Sequence, residues 1–194
     1  MRIDRQIDGM DIAELKVELE TLHSASFGWA LSCCRRDRAE AEEVLQTVYL
    51  KILEGKACFR GESSLKTWLF AVIRKTASGE HRKNLLRKLR WSDDSEQAAK
   101  QVSRADEPGV AFDKSETQAL FQSALKTLPR RQREALHLVF YEDLTLSEAA
   151  DVMGISIGSA RQHYERGKKR LRETLGQKEI AYGIGWRREN PGAV

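Results

Sequence analysis

Residues Leu144–Leu171 read "LTLSEAADVMGISIGSARQHYERGKKRL", and their pattern decides the fold. Thr145 and Glu148 form a T-x-x-E capping box. It satisfies two backbone N–H groups reciprocally and starts a helix at Leu146. Ala149, Ala150 and Val152 give that helix a small-residue face that a second helix can cross closely. Gly154 falls where the chain needs a left-handed turn, and Ser156 is positioned to cap the next helix. A short helix, a glycine turn and a longer basic helix make a helix-turn-helix. In the second helix Ile157, Ala160, Tyr164, Gly167 and Leu171 follow the buried period. The other side carries Ser159, Arg161, Gln162, Glu165 and Arg166, with Lys168, Lys169 and Arg170 behind them. In a recognition helix the N-terminal half reaches base edges and later cations hold phosphate. Arg161, Gln162 and Arg166 are therefore candidates for base edges or adjacent backbone, and Lys169 for phosphate. Glu165 fits only as an acceptor from cytosine.

Charge along the chain supports a polyanionic partner. The net charge is +4, from 33 Lys and Arg against 29 Asp and Glu. Arg74 to Arg90 holds seven Lys/Arg against one Glu, and Arg161 to Arg172 holds six against one. Between them, Asp93 to Glu116 holds three basic residues against seven acidic ones. Two basic patches separated by an acidic stretch read as two contact sites joined by a segment that avoids the polyanion.

The rest of the chain reads as all-α: two small helical domains joined by a flexible linker. A first helical block is expected from Met10 to Cys34. A second runs from Arg38 to Leu53, with Ala41, Val44, Leu45, Val48 and Ile52 on one stripe. A third spans Ser64 to Leu89, with Leu65, Trp68, Leu69, Val72, Ile73 and Thr76 buried. The expected boundaries are a tail over 1–9, a first domain over 10–91, a linker over 92–113, a helix-turn-helix domain over 114–175 and a tail over 176–194. The linker is polar and acidic and ends in Pro108-Gly109. Pro129 starts a new helix that turns Ala135, Leu136, Val139 and Phe140 inward. The last tail, with aromatic and basic residues but no period, is either disordered or docked on the body.

Other classes find little support. Cys33, Cys34 and Cys58 are odd in number and lack metal-ligand spacing, as in a reduced, cytosolic chain. No apolar run approaches the ~18 residues of a membrane span and no signal peptide is evident, so a cytoplasmic protein without membrane insertion is expected. There is no phosphate loop, H-E-x-x-H pair or nucleophile elbow. His23, His81, His137 and His163 are scattered. No enzyme, metal or cofactor is expected.

The first domain separates this chain from an ordinary DNA-binding regulator. Glu42, Glu43, Val44, Leu45 and Gln46 with Tyr49, then Phe59 to Ser63, then Thr67 to Phe70 opening a basic helix, resemble the N-terminal domain of extracytoplasmic function (ECF) sigma factors. The run from Leu128 to Leu175 is similar to the C-terminal domain of the same family. The resemblance covers roughly Met10–Leu89 and Ser115–Leu175. It implies a protein that binds core RNA polymerase and promoter DNA and is held inactive by an anti-sigma factor. It further implies that the C-terminal domain reads the minus-thirty-five element as duplex, through Ser159, Arg161, Gln162, Glu165, Arg166 and Lys169. The N-terminal domain would capture the minus-ten element as single strand.

For the single strand, the residues are Arg60, Glu62, Ser63, Ser64 and Lys66 in and after the loop, then Phe70, Arg74, Ser78 and His81 along the third helix. Phe70 either contacts DNA or packs against the first helical block. Phe59 and Trp68 are expected to anchor the loop ends, with Gly61 turning the backbone between them. Glu42, Glu43 and Gln46, exposed on the second helix, would meet the polymerase clamp. A regulator of another class, whose N-terminal half senses a ligand or dimerises, leaves the Phe59–Trp68 loop unexplained.

Overall fold

The computed structural model describes residues 12–91 and 123–182, and within them all regular structure is helical. The expected first helix is two: α1 (Ile12–Thr21) and α2 (His23–Cys33). The Thr21 hydroxyl donates to the Val17 carbonyl at 3.0 Å, a back-bond of the kind that bends helices, and Leu22 forms the joint. Arg35 and Arg36 then take positive φ (55° and 67°) and reverse the chain. Asp37 caps α3 (Arg38–Leu53) by accepting from the Glu40 N–H at 2.9 Å. The predicted stripe of α3, from Ala41 to Ile52, is buried.

Ser64 caps α4 (Leu65–Trp91), its hydroxyl accepting from the Thr67 N–H at 3.1 Å. Sequence periodicity assigns α4 one buried stripe, yet Thr67, Phe70 and Ala77 are buried along with Leu69, Ile73 and Thr76. The reason is that α4 is packed from two sides. Trp29 of α2 stacks on Phe70, while Thr67 and Arg74 meet side chains of the C-terminal half. A single-stripe period cannot express a helix sandwiched between two layers.

In the C-terminal half, residues 123–126 are helical and lead to Pro129, which precedes α5 (Arg130–Leu136). This helix continues as a π-helical turn over His137–Tyr141. The π turn corrects one expectation. Its extra residue per turn moves the register, so Leu138 is fully buried and Phe140 points out at 66% exposure. Helix α6 (Leu146–Met153) and helix α7 (Ile157–Tyr182) complete the fold. Helix α7 runs seven residues past the expected end of the domain at Leu175.

The two helical domains are docked on each other. One buried cluster joins Trp29, Leu69, Phe70 and Ile73 to Ala135, Leu138, Ala149, Val152 and Met153. The expected linker over 92–113, the N-terminal tail and the end of the C-terminal tail lie outside the described residues.

Candidate nucleic-acid and polymerase interfaces

The helix-turn-helix has the local geometry its residues dictate. The Glu148 N–H donates to the Thr145 hydroxyl at 3.2 Å, and the Thr145 N–H donates back to the Glu148 carboxylate at 2.9 Å. Gly154 ends α6 in the left-handed region, φ 61°, where a side chain would cost roughly 1–2 kcal/mol. Ser156 caps α7 by accepting from the Ser159 N–H at 3.2 Å. Gly167 lets α7 cross α5 closely. A Cβ there would lie 3.1 Å from Leu136 Cδ1 and 3.2 Å from the Gln132 carbonyl oxygen.

With Ala160 and Gly167 buried beneath it, α7 turns Arg161, Gln162, Glu165, Arg166 and Lys169 to solvent, with Ser159 half-buried. Lys168 lies 4.8 Å over the Tyr164 ring and pairs with Glu165 at 3.0 Å. Ile157 departs from the expected buried period. It is the first residue of α7 and half exposed, whereas Ala160, one turn later, is fully buried.

The loop before α4 is closed by an aromatic pair. The rings of Phe59 and Trp68 lie 5.5 Å apart, both half-buried, and Gly61 turns the chain at φ 70°. Arg60, Glu62 and Ser64 are exposed and Ser63 is half-buried. Ser64 carries a structural duty as well, since it caps α4 and bonds the Thr67 hydroxyl at 2.8 Å.

Along α4 the predicted single-strand residues divide. His81 is exposed. Phe70 is fully buried against Trp29, which decides between its two sequence readings in favour of packing. Lys66, Arg74 and Ser78 face the C-terminal domain. Lys66 Nζ sits 3.0 Å from Glu142 Oε2, Arg74 Nε 3.2 Å from Glu134 Oε2, and Ser78 Oγ accepts from Arg130 Nη2 at 3.0 Å. Beside this seam an open groove of ≈ 660 Å³ carries Arg74, Lys75, Arg82 and Lys83 on one wall and Val152 and Gly154 on the other.

Two kinds of residue escaped the sequence reading. Glu134, at 1% exposure, accepts from both Arg74 and Arg130. Only the i,i+4 spacing of Arg130 and Glu134 hinted at a pair. Leu50 and Leu53 are more than half exposed on α3. With Glu43 and Gln46 they fall at i, i+3, i+7 and i+10, one face of the helix, where Glu42 is also exposed.

Two carboxylates at the seam, Glu142 and Glu148, are held ionised. Burial pushes Glu142 up, but hydrogen bonds and charge from His137 and Lys66 outweigh it and hold the group below its usual range. The N–H and hydroxyl of Thr145 hold Glu148 down. The thiols go the other way. Burial, with Glu134 nearby, pushes Cys33 well up, and burial with Glu40 and Asp37 pushes Cys34 to about 12. Both are protonated at neutral pH and so poor nucleophiles. Among the described residues no group of three or more His, Cys, Asp and Glu could hold a metal, and no helix is long and apolar enough to cross a membrane.

Comparison with known proteins agrees with these two domains. Residues 20–88 match Sigma-70 region 2, and residues 124–173 match Sigma-70, region 4. The chain is 30% identical over 147 residues to the RNA polymerase sigma factor CarQ of Myxococcus xanthus, covering 75% of this chain and 80% of CarQ. It is 27% identical to the ECF RNA polymerase sigma factor EcfG of Rhodopseudomonas palustris, over 70% of this chain and 71% of EcfG. Among solved structures it resembles the sigma factor RpoE of Bartonella quintana in complex with the anti-sigma factor NepR. That match has a TM-score of 0.64 at 26% identity and covers 85% of this chain and 98% of RpoE. A two-domain helical protein with a C-terminal helix-turn-helix is thus defined as a transcription initiation factor. The chain belongs to the ECF RNA polymerase sigma factors, which bind core RNA polymerase and promoter DNA.

Proposed function

We propose that this sigma factor directs core polymerase by reading the minus-thirty-five element as duplex and the minus-ten element as single strand. The observation that carries the reading is the solvent-facing row of α7, Arg161, Gln162, Glu165, Arg166 and Lys169, on a capped helix-turn-helix. Arg161, Gln162 and Arg166 read base edges, and Ser159 and Lys169 hold backbone. Arg60, Glu62, Ser63 and Ser64, with Lys66, Arg74, Ser78 and His81, take the single strand. Phe70 supports that surface from below.

Glu42, Glu43 and Gln46 meet the polymerase, and the exposed Leu50 and Leu53 supply the apolar contact such an interface needs. An anti-sigma factor controls the chain in the cytoplasm. Support for such a partner comes from the solved RpoE–NepR complex and from the basic groove between the domains.

Energetics explain why the polymerase is required. Separating DNA costs roughly 1.4 kcal/mol per base-pair step, so opening about ten pairs costs on the order of 14 kcal/mol. Each captured base returns only about 1–3 kcal/mol. The domain traps a bubble that polymerase also stabilises, and the isolated chain melts little promoter. The test is reconstitution with core polymerase on a library of promoters. The expected result is selected transcripts that share two spaced elements, lost for the minus-thirty-five element in Arg161→Ala. Failure to bind core polymerase would overturn the reading.

A further inference from the structure

Helix α5 reaches the helix-turn-helix at two points, which lie on either side of Arg161, Gln162 and Arg166 in the chain. At the first, Arg131 Nη1 donates to the backbone carbonyl of Met153 at 3.1 Å. Met153 is the last residue of α6 and directly precedes the left-handed Gly154. The turn closes on backbone bonds as well: the Gly154 N–H donates to the Asp151 carbonyl and the Ile155 N–H to the Ala150 carbonyl, both at 3.1 Å. Arg131 adds a charge-assisted bond, roughly twice as strong as a neutral one, and sets a cation at the negative end of the α6 dipole. At the second point, Gly167 is buried beneath α5. A Cβ there would stand 3.1 Å from Leu136 Cδ1 and 3.2 Å from the Gln132 carbonyl oxygen. Arg131, Gln132 and Leu136 belong to one helix, so both points are fixed to the same body. Arg130, the neighbour of Arg131, bonds Glu134 and Ser78 instead.

We propose that α5 is the mount that sets the pose of α7 on the duplex, and that Arg131 and Gly167 are its positioning residues. The inference rests on the reading of the minus-thirty-five element by α7. Neither residue needs to touch DNA. Arg131 holds the turn from which α7 starts, and Gly167 sets the depth at which α7 crosses α5. Arg161 and Gln162 stand five and six residues before Gly167, about 7.5–9 Å along the axis at ~1.5 Å per residue. Without the Arg131 contact α7 pivots about Gly167, and over that lever a tilt of about 5° moves those residues by ~0.7 Å. A binding constellation must be held within about 0.5 Å of its productive geometry. Base contacts therefore weaken, while contacts to phosphate, which fix register without reading sequence, survive.

The test uses holoenzyme reconstituted from core polymerase and the full chain carrying Arg131→Met, which keeps an apolar stem and removes the donors. Binding to the preferred promoter and to one with a scrambled minus-thirty-five element is measured by competition at two salt concentrations. The expected result is a preference between the two promoters reduced by about tenfold, the size of one lost base contact. Affinity for the scrambled promoter and the salt dependence stay as in wild type. Arg131→Lys, which returns a charged donor, restores part of the preference. Equal losses on both promoters with a shallower salt dependence make Arg131 a phosphate contact and overturn its positioning role. Unchanged preference in Arg131→Met, beside a lowered one in Arg161→Ala, overturns the mount and leaves the reading by α7 standing. Unchanged preference in both variants overturns the two together. Should Arg131→Met lose helicity, Gly167→Ala carries the same test with the same outcomes, because alanine favours the helix while its Cβ pushes α7 off α5.

Discussion

The indole N–H of Trp29 donates to the backbone carbonyl of Phe70 across 3.0 Å, and the two rings stack with centroids 5.9 Å apart. This contact ties α2 to α4 and makes Phe70 a pillar of the core. Phe70→Ala is expected to cost about 3–5 kcal/mol of stability, as large-to-small changes of buried aromatics do. Thermal or urea unfolding measures it. A variant that melts like wild type but loses single-strand binding would return the ring to the DNA surface.

On α7, Arg161→Ala and Arg166→Ala are each expected to weaken binding to the preferred promoter duplex by about 1–3 kcal/mol and to relax its sequence preference. Lys169→Ala should weaken all sequences alike and reduce the salt dependence. Competition binding at two salt concentrations separates the two behaviours. Unchanged sequence preference in either arginine variant would refute base contact at that position.

Ser63 and Ser64 are neighbours with different duties. Ser64→Ala removes the cap of α4 and is expected to cost about 1 kcal/mol of stability. The Ser63 hydroxyl donates only to the adjacent Ser64 carbonyl, at 3.3 Å, so Ser63→Ala should leave the melting temperature nearly unchanged. Any loss of minus-ten selectivity in Ser63→Ala then reports on DNA rather than on folding. Equal melting losses in the two variants would count against this division.

Acid should loosen the domain seam. Glu142 and Glu148 have folded pKa values below their ordinary ones. Their contribution is therefore present above the unfolded carboxylate value of about 4.3 and is lost as pH falls through the folded values. Urea midpoints measured between neutral and acid pH should fall across that window, and Glu148→Gln should flatten the slope. An identical slope in Glu148→Gln would remove Glu148 from the linkage.

The three cysteines should react unequally. Cys58 is exposed, whereas burial keeps Cys33 and Cys34 protonated. At neutral pH a thiol reagent should label one site quickly and the other two only after unfolding. Peptide mapping of the labelled chain checks the order, and rapid labelling of Cys34 in the folded chain would contradict it.

The sequence was legible wherever a local rule governs. Helix α3 has the bounds and stripe that periodicity predicts. The Thr145–Glu148 box, the left-handed Gly154 and the Ser156 cap are all read from residues a few positions apart. It was misleading where a register changed. The π turn over His137–Tyr141 turns Phe140 outward, because a 3.6-residue period assumes that no residue is inserted. The break at Thr21 and Leu22 was hidden for a similar reason, since a side-chain back-bond bends a helix without altering its hydrophobic pattern.

By itself, then, the sequence determined an all-α chain with a helix-turn-helix, two basic helices and the paired domains of a sigma factor. The helices and the helix-turn-helix depend on caps, turns and periods written within a few residues, while the paired domains rest on the resemblance of their motifs to those of ECF sigma factors. Only the tertiary structure decided that α4 is packed on two sides, that Phe70 is buried, and that Glu134 and Glu142 reach Arg74 and Lys66. Those partners lie 60 and 76 residues apart in the chain. Periodicity identifies the face a helix turns inward and cannot identify what another domain lays against its outer face.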